Sequence, residues 1–131
     1  MNIGEAAKAS GISAKMIRYY ESKGLIKKAA RSYTNYRFYS DSDLETLRFI
    51  GRARGMGFSL EKIAALLKLW RNQQRPSAKV KAIAEAHIAE LDLQIAELQA
   101  MRDLLQQIAD ACPGSEETHC PILEQLVNPS A

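Results

Sequence analysis

The chain has 131 residues, 47% of them apolar, broken by only four prolines and seven glycines. That is about one ordinary domain, and too apolar for a disordered segment. No stretch approaches the roughly 20 apolar residues of a membrane span. The opening Met-Asn-Ile-Gly-Glu-Ala-Ala-Lys carries no apolar signal core, so the expected location is the cytoplasm. The net charge of +3 divides unevenly: residues 1–76 hold 15 Lys and Arg against 6 Asp and Glu, and residues 77–131 hold 3 against 9. The basic half is an electrostatic footprint for a polyanion. Charge alone does not separate this from a solvated basic surface.

Two short helices come first. Ile3, Ala6 and Ala7 give one an apolar side, and it stops near Gly11. Ser13 can cap the next through its hydroxyl. Met16, Ile17 and Tyr20 form that helix's apolar face, and Gly24 ends it. Two short helices across a tight Gly-containing turn make a helix-turn-helix. Lys15, Arg18 and Tyr19 fall on the other sides of the second helix. There cations reach phosphates and polar tips reach base edges.

Residues 25–39 change character. Leu25-Ile26 and Tyr36-Arg37-Phe38-Tyr39 read as short strands around the polar turn from Arg31 to Asn35. A basic hairpin after a helix-turn-helix is a wing, with Arg31, Tyr36 and Arg37 as contacts to the DNA backbone. Phe38 is expected in the core, while Tyr36 and Tyr39 fit core or surface. Ser40 and Asp43 suit a capping box for a third helix lined by Leu44, Leu47, Phe49 and Ile50, ending at Gly55 or Gly57. Ser59 caps a fourth, with Leu60, Ile63, Leu66, Leu67 and Trp70 on its apolar side. Arg52 and Arg54 serve either the third helix's dipole or a phosphate. The reading is a winged helix-turn-helix domain over residues 1–70 and a connector over 71–77.

A helix free of Gly and Pro follows, over residues 78–111. Ile88, Leu91, Ile95, Leu98, Met101, Leu105, Ile108 and Cys112 recur at steps of three and four, a heptad seam with one shortened step near Met101. Such a helix extends on the order of 50 Å, and too few helices remain to cover it. The expected partner is an identical helix, in a homodimer.

Pro113-Gly114 breaks this helix, and residues 112–131 read as a metal-binding loop and a short helix. Cys112 and Cys120 are the chain's two cysteines. Pro121 favours the first position of a helix, which puts Cys120 at a helix N-terminus, where backbone N–H groups and the dipole stabilise a thiolate. Two thiolates are a soft donor set. Structural zinc normally takes four ligands, and only His119 is a nearby third. Two sulfurs suffice for a linear monovalent d¹⁰ ion and leave a charge of −1. A redox disulfide and an inert pair remain open alternatives.

Asn2-Ile-Gly-Glu-Ala-Ala-Lys8, Met16-Ile-Arg-Tyr-Tyr-Glu21, Gly24-Leu-Ile26, Tyr36-Arg-Phe-Tyr39 and Arg52-Ala-Arg-Gly-Met-Gly-Phe58 together resemble the MerR family of transcriptional regulators, over nearly the whole chain. The loop from Cys112-Pro-Gly to Cys120-Pro-Ile is similar to that of the family's CueR-like subgroup, which includes the gold-responsive GolS. The resemblance implies that Cys112 and Cys120 bind Cu(I), Ag(I) or Au(I) in linear coordination. It implies that Ser77 approaches the other protomer's site and withholds a third thiolate, where divalent-metal sensors carry cysteine. It implies DNA contacts from Lys15, Arg18, Tyr19, Arg31, Tyr36, Arg37 and Arg54. The implied partner is double-stranded promoter DNA, an inverted repeat within an over-long spacer. Metal binding then bends and untwists it so that RNA polymerase engages both promoter elements. This chain departs from its relatives at Asn35, Lys27-Lys28, Lys79 and His119.

The expected fold class is mainly α: a winged helix-turn-helix, a long dimerisation helix, and a short metal loop and helix. No residue is assigned a catalytic role and no enzymatic activity is expected. The competing readings are a thiol redox-responsive transcription factor and a metal-buffering protein whose basic half is incidental.

Overall fold

Asn2 opens α1 (Ile3–Ser10) with a reciprocal capping box. Its side chain accepts from the Glu5 N–H at 2.8 Å, and the Glu5 carboxylate accepts from the Asn2 N–H at 3.3 Å. Two donors that the first turn would otherwise leave unpaired are thereby satisfied. Ser13 caps α2 (Ala14–Ser22) by accepting from the Met16 N–H at 3.2 Å. Ala6 and Ile17 are fully buried where the two helices pack. The computed structural model describes residues 1–27, 30–31 and 37–129, with the side chains of all but 30, 31 and 37.

Leu25 and Ile26 do not form the expected strand. They are buried in the turn that leaves α2. Gly24, at φ 75°, donates back to the Glu21 carbonyl, and Leu25 to that of Tyr20. This helix-terminating geometry uses backbone donors that a strand would have sent to a neighbour. Pairing begins later, between β1 (Ala30–Arg31) and β2 (Arg37–Phe38). The strands are antiparallel, with Ala30 opposite Phe38 and Arg31 opposite Arg37. Lys28, Asn35 and Tyr36 lie outside the described residues.

Phe38 is not in the core; it is 55% exposed. Tyr39 takes the inward position instead, at 1% exposure, because successive strand residues face opposite sides. Its N–H donates to the Met1 carbonyl at 2.7 Å, and its hydroxyl donates to the Glu21 carboxylate. Glu21 is itself buried. A buried carboxylate is costly unless it accepts hydrogen bonds, so this contact ties the C-terminal end of α2 to the strand.

Ser40 and Asp43 form a second capping box, at 3.1 and 2.9 Å, opening α3 (Asp41–Gly55). Leu44, Leu47, Ile50 and Ala53 give α3 its buried face. Ser59 caps α4 (Leu60–Arg71), which buries Ile63 and Leu67. Phe49 of α3 stacks on Trp70 of α4, with centroids 4.9 Å apart and planes 12° from parallel. Beyond α4, Arg75 donates to the carbonyls of Trp70 at 3.2 Å and Asn72 at 3.1 Å, satisfying acceptors that a helix C-terminus leaves open.

The chain divides into two compact units, Met1–Val80 and Lys81–Ala131. The first holds α1 to α4, the hairpin and the start of α5 (Ser77–Asp110). The second holds the rest of α5 and α6 (Pro121–Val127). Among the described residues no helix is long and apolar enough to cross a membrane.

Tyr39→Phe removes the hydroxyl that serves the buried Glu21 carboxylate. The expected loss is about 1.5–3 kcal/mol of stability, the range for a hydrogen bond to a charged group. Urea unfolding at fixed protein concentration, followed by Trp70 fluorescence, measures it. An unshifted midpoint would show that the contact contributes nothing.

Candidate DNA interface and metal centre

The two sides of α2 differ as an interface helix requires. Ile17 and Tyr20 are buried while Lys15, Arg18 and Tyr19 are exposed. The Tyr19 ring lies tilted against Tyr20, with centroids 6.1 Å apart, and the Lys23 ammonium sits 5.6 Å from its centre. Lys23 had no place in the sequence reading, although the i,i+4 spacing to Tyr19 was the available signal. Arg31 and Arg37 are register partners on β1 and β2, so one rung of the hairpin carries two cationic residues.

Two other arginines are tied into the fold. Arg54 is exposed, yet its Nη1 donates to the Phe58 carbonyl at 3.4 Å, closing the turn between α3 and α4. Arg48 donates to the Ala9 carbonyl at 3.3 Å, linking α3 to the end of α1.

Along α5 an apolar stripe is left open. Ile88, Ile95, Leu98, Met101 and Leu105 are each more than half exposed in the single chain, as are the flanking Leu93 and Leu104. Leu91 and Ile108 are half-buried. Contiguous apolar surface on this scale marks an interaction face. Ser77 is the first residue of α5.

At the other end of α5 the chain turns sharply. The Cys112 N–H donates to the Ala109 carbonyl at 3.0 Å. Gly114 then takes φ 64°, a left-handed conformation that disfavours a side chain. Cys120 is the N-cap residue of α6, with Pro121 following in the first turn. Its sulfur makes no capping hydrogen bond of ordinary geometry. Even so, the Leu123 N–H holds the Cys120 thiol below its ordinary pKa. Partial desolvation opposes this, the Ile122 N–H and the Cys112 thiol add to it, and the Glu124 carboxylate works against it.

The Cys112 thiol is close enough to act on the Cys120 thiol. Both are half-buried, and no disulfide joins them. A cleft of about 320 Å³ beside them is lined by Leu104, Ile108, Ala111 and Pro121, with two glutamines. The Nδ1 of His119 lies 3.0 Å from Glu124 Oε1. Among the described residues no three His, Cys, Asp or Glu side chains converge as a metal site. The donor set that fits is a pair of sulfurs, suited to a soft ion.

A helix-turn-helix with a paired hairpin, a long open helix and a two-sulfur loop define a DNA-binding regulator. The profile described as MerR HTH family regulatory protein matches residues 1–70, and that described as MerR, DNA binding matches residues 44–108. The chain belongs to the MerR family, whose members are transcription regulators and not enzymes. It is 53% identical over 131 residues to heavy metal-dependent transcription regulator 2 of Rhizobium meliloti strain 1021, covering 100% of this chain and 89% of that protein. It is 43% identical over 126 residues to the HTH-type transcriptional regulator CueR of Escherichia coli O157:H7, covering 96% and 93%. Among solved structures, the transcription regulator PbrR691 from Ralstonia metallidurans CH34 in complex with lead(II) superposes with a TM-score of 0.81. That match has 34% identity and covers 96% of this chain and 98% of that one.

Arg18→Ala tests the exposed side of α2. If Arg18 neutralises a phosphate, its loss weakens binding to promoter DNA and reduces the slope of log K against log salt by about 1. Fluorescence anisotropy across a salt series measures both. An unchanged affinity and slope would remove Arg18 from the interface.

Proposed function

We propose that this MerR-family regulator is a transcription activator responsive to a monovalent soft metal ion. It acts as a homodimer on an inverted repeat in promoter DNA. Cys112 and Cys120 hold Cu(I), Ag(I) or Au(I), and metal binding distorts the DNA so that RNA polymerase engages the promoter. The observation that carries the reading is a pair of half-buried, unbridged cysteines on one short loop, the second of them the N-cap of α6.

The choice of ion rests on donor count and charge. Two thiolates and a monovalent ion leave −1, which the N–H groups of the first turn of α6 offset. A divalent ion with two thiolates would be neutral but short of the three or four protein ligands that zinc sites use. The names of the relatives support metal dependence in general, and the lead(II) complex supports a soft cation; neither names a monovalent ion. Ser77 fits the selectivity role because a hydroxyl is a poor soft ligand. The stripe through Ile88, Leu91, Ile95, Leu98, Met101 and Leu105, exposed except at the half-buried Leu91, supports dimerisation through α5. Lys15, Arg18, Tyr19, Arg31, Tyr36, Arg37 and Arg54 are the proposed DNA contacts. The protein's part in activation is to store deformation energy in the DNA.

The same proximity of sulfurs favours one other reading, oxidation to a disulfide in a thiol-responsive regulator. The two separate on stoichiometry: the metal reading requires one Ag(I) per two reduced thiols, and the redox reading requires activation by oxidant without metal.

Cys112→Ser and Cys120→Ser should each abolish metal-induced transcription from the target promoter while leaving DNA affinity unchanged, because the ligands and the DNA contacts lie on different compact units. Full induction of either variant would refute the two-thiolate site. Ser77→Cys should extend the response to Zn(II) or Hg(II) by adding a third thiolate. Promoter activity across monovalent and divalent ions measures this, and superimposable profiles for wild type and variant would deny Ser77 a role in selectivity.

A further inference from the structure

Tyr19, on the exposed side of α2, is held at both its backbone and its ring. It is 41% exposed. Its carbonyl accepts from the Lys23 N–H at 3.0 Å and from the Ser22 hydroxyl at 2.6 Å. Its ring rests tilted on that of the buried Tyr20, with centroids 6.1 Å apart. The Lys23 ammonium lies over the Tyr19 ring, 5.6 Å from its centre, within reach of a cation–π attraction. Among the described residues no carboxylate pairs with Lys23. The ring is therefore what directs this ammonium.

We propose that Lys23 is a positioning residue of the DNA interface: its ammonium holds the Tyr19 ring in one orientation before the duplex arrives. The inference rests on the reading of Tyr19 as a DNA contact. Binding orders flexible side chains at a cost, and a side chain already held loses less freedom. A tyrosine suits such preorganisation, because two torsions fix a large contact surface. Lys23 is the C-cap residue of α2, one turn beyond Tyr19, so the two side chains share one side of the helix. Lys23 thus acts through the ring and not through a phosphate of its own. A cation at a helix C-terminus also complements the dipole, but that effect does not involve Tyr19. Both side chains are exposed, and an exposed cation–π pair is worth about twofold to fivefold in affinity.

The test is a double-mutant cycle on the full-length chain: wild type, Lys23→Gln, Tyr19→Leu and the double variant, with Lys23→Arg as a rescue. Circular dichroism checks that all five proteins are equally helical. Fluorescence anisotropy on a duplex carrying the promoter's inverted repeat, across a salt series, reads affinity and salt slope together. Lys23→Gln should weaken binding with a slope close to that of wild type, whereas a lost phosphate contact lowers the slope by about 1. Lys23→Arg should restore the affinity, because a guanidinium also stacks on an aromatic face. The loss should be smaller by about twofold to fivefold in the Tyr19→Leu background, where dipole and long-range charge effects cancel out of the comparison. A loss of equal size in both backgrounds would overturn the proposal, and so would a slope lowered by about 1 in Lys23→Gln. If Tyr19→Leu itself weakens binding, such a result defeats the Lys23 proposal alone. If Tyr19→Leu binds as tightly as wild type, Tyr19 is no DNA contact and this inference falls with that reading.

Discussion

Cys112 lies just past the end of α5 and Cys120 begins α6, and the proposed site asks the loop between them to deliver two sulfurs to one place. Three local devices meet that requirement. Gly114 takes the left-handed turn, Pro121 starts α6 without needing a donor, and the N–H groups of Leu123 and Ile122 favour the thiolate form of Cys120. None depends on distant packing. The site is built almost wholly from sequence-local geometry, and such a site can survive on a part of the molecule that buries little else.

That economy has a counterpart in α5. A 34-residue helix with no buried residue of its own does not satisfy its apolar stripe within the second compact unit. Helices in water draw most of their stability from burying an apolar face, so this one calls for a partner. The DNA-binding unit is different in kind. It has a closed core in which Ile17, Leu47, Ile50 and Ile63 are fully buried, and its helix starts carry side-chain caps at Asn2, Ser13, Ser40 and Ser59.

The caps at Ser13, Ser40 and Ser59 were legible in the sequence because a cap is a short-range pattern, a Ser ahead of an apolar run; the cap at Asn2 was missed, though Asn ahead of an apolar residue is the same signal. The cysteine loop was legible for the same reason. The strand expected at Leu25-Ile26 was misplaced because apolar, β-prone residues can also be buried in a turn, and periodicity over two residues does not distinguish the cases. Exchanging Phe38 for Tyr39 as the core residue follows from the same limit. Strand phase decides which of two adjacent aromatics faces inward, and phase is set here by the backbone bond to Met1 and the phenol bond to Glu21. That second partner lies 18 residues away, beyond any local pattern. The His119–Glu124 pair was illegible because it depends on how the loop folds back over Cys120, and the side-chain roles of Arg48 and Arg75 are likewise tertiary.

The central claim is that a monovalent ion sits between two sulfurs and nothing else. X-ray absorption at the metal edge of the Cu(I)- or Ag(I)-loaded protein tests it most directly. The account predicts two sulfur scatterers per metal ion, short bonds typical of linear coordination, and no nitrogen in the first shell. Three or more ligands, an imidazole signature, or metal uptake that persists after both thiols are alkylated would contradict it.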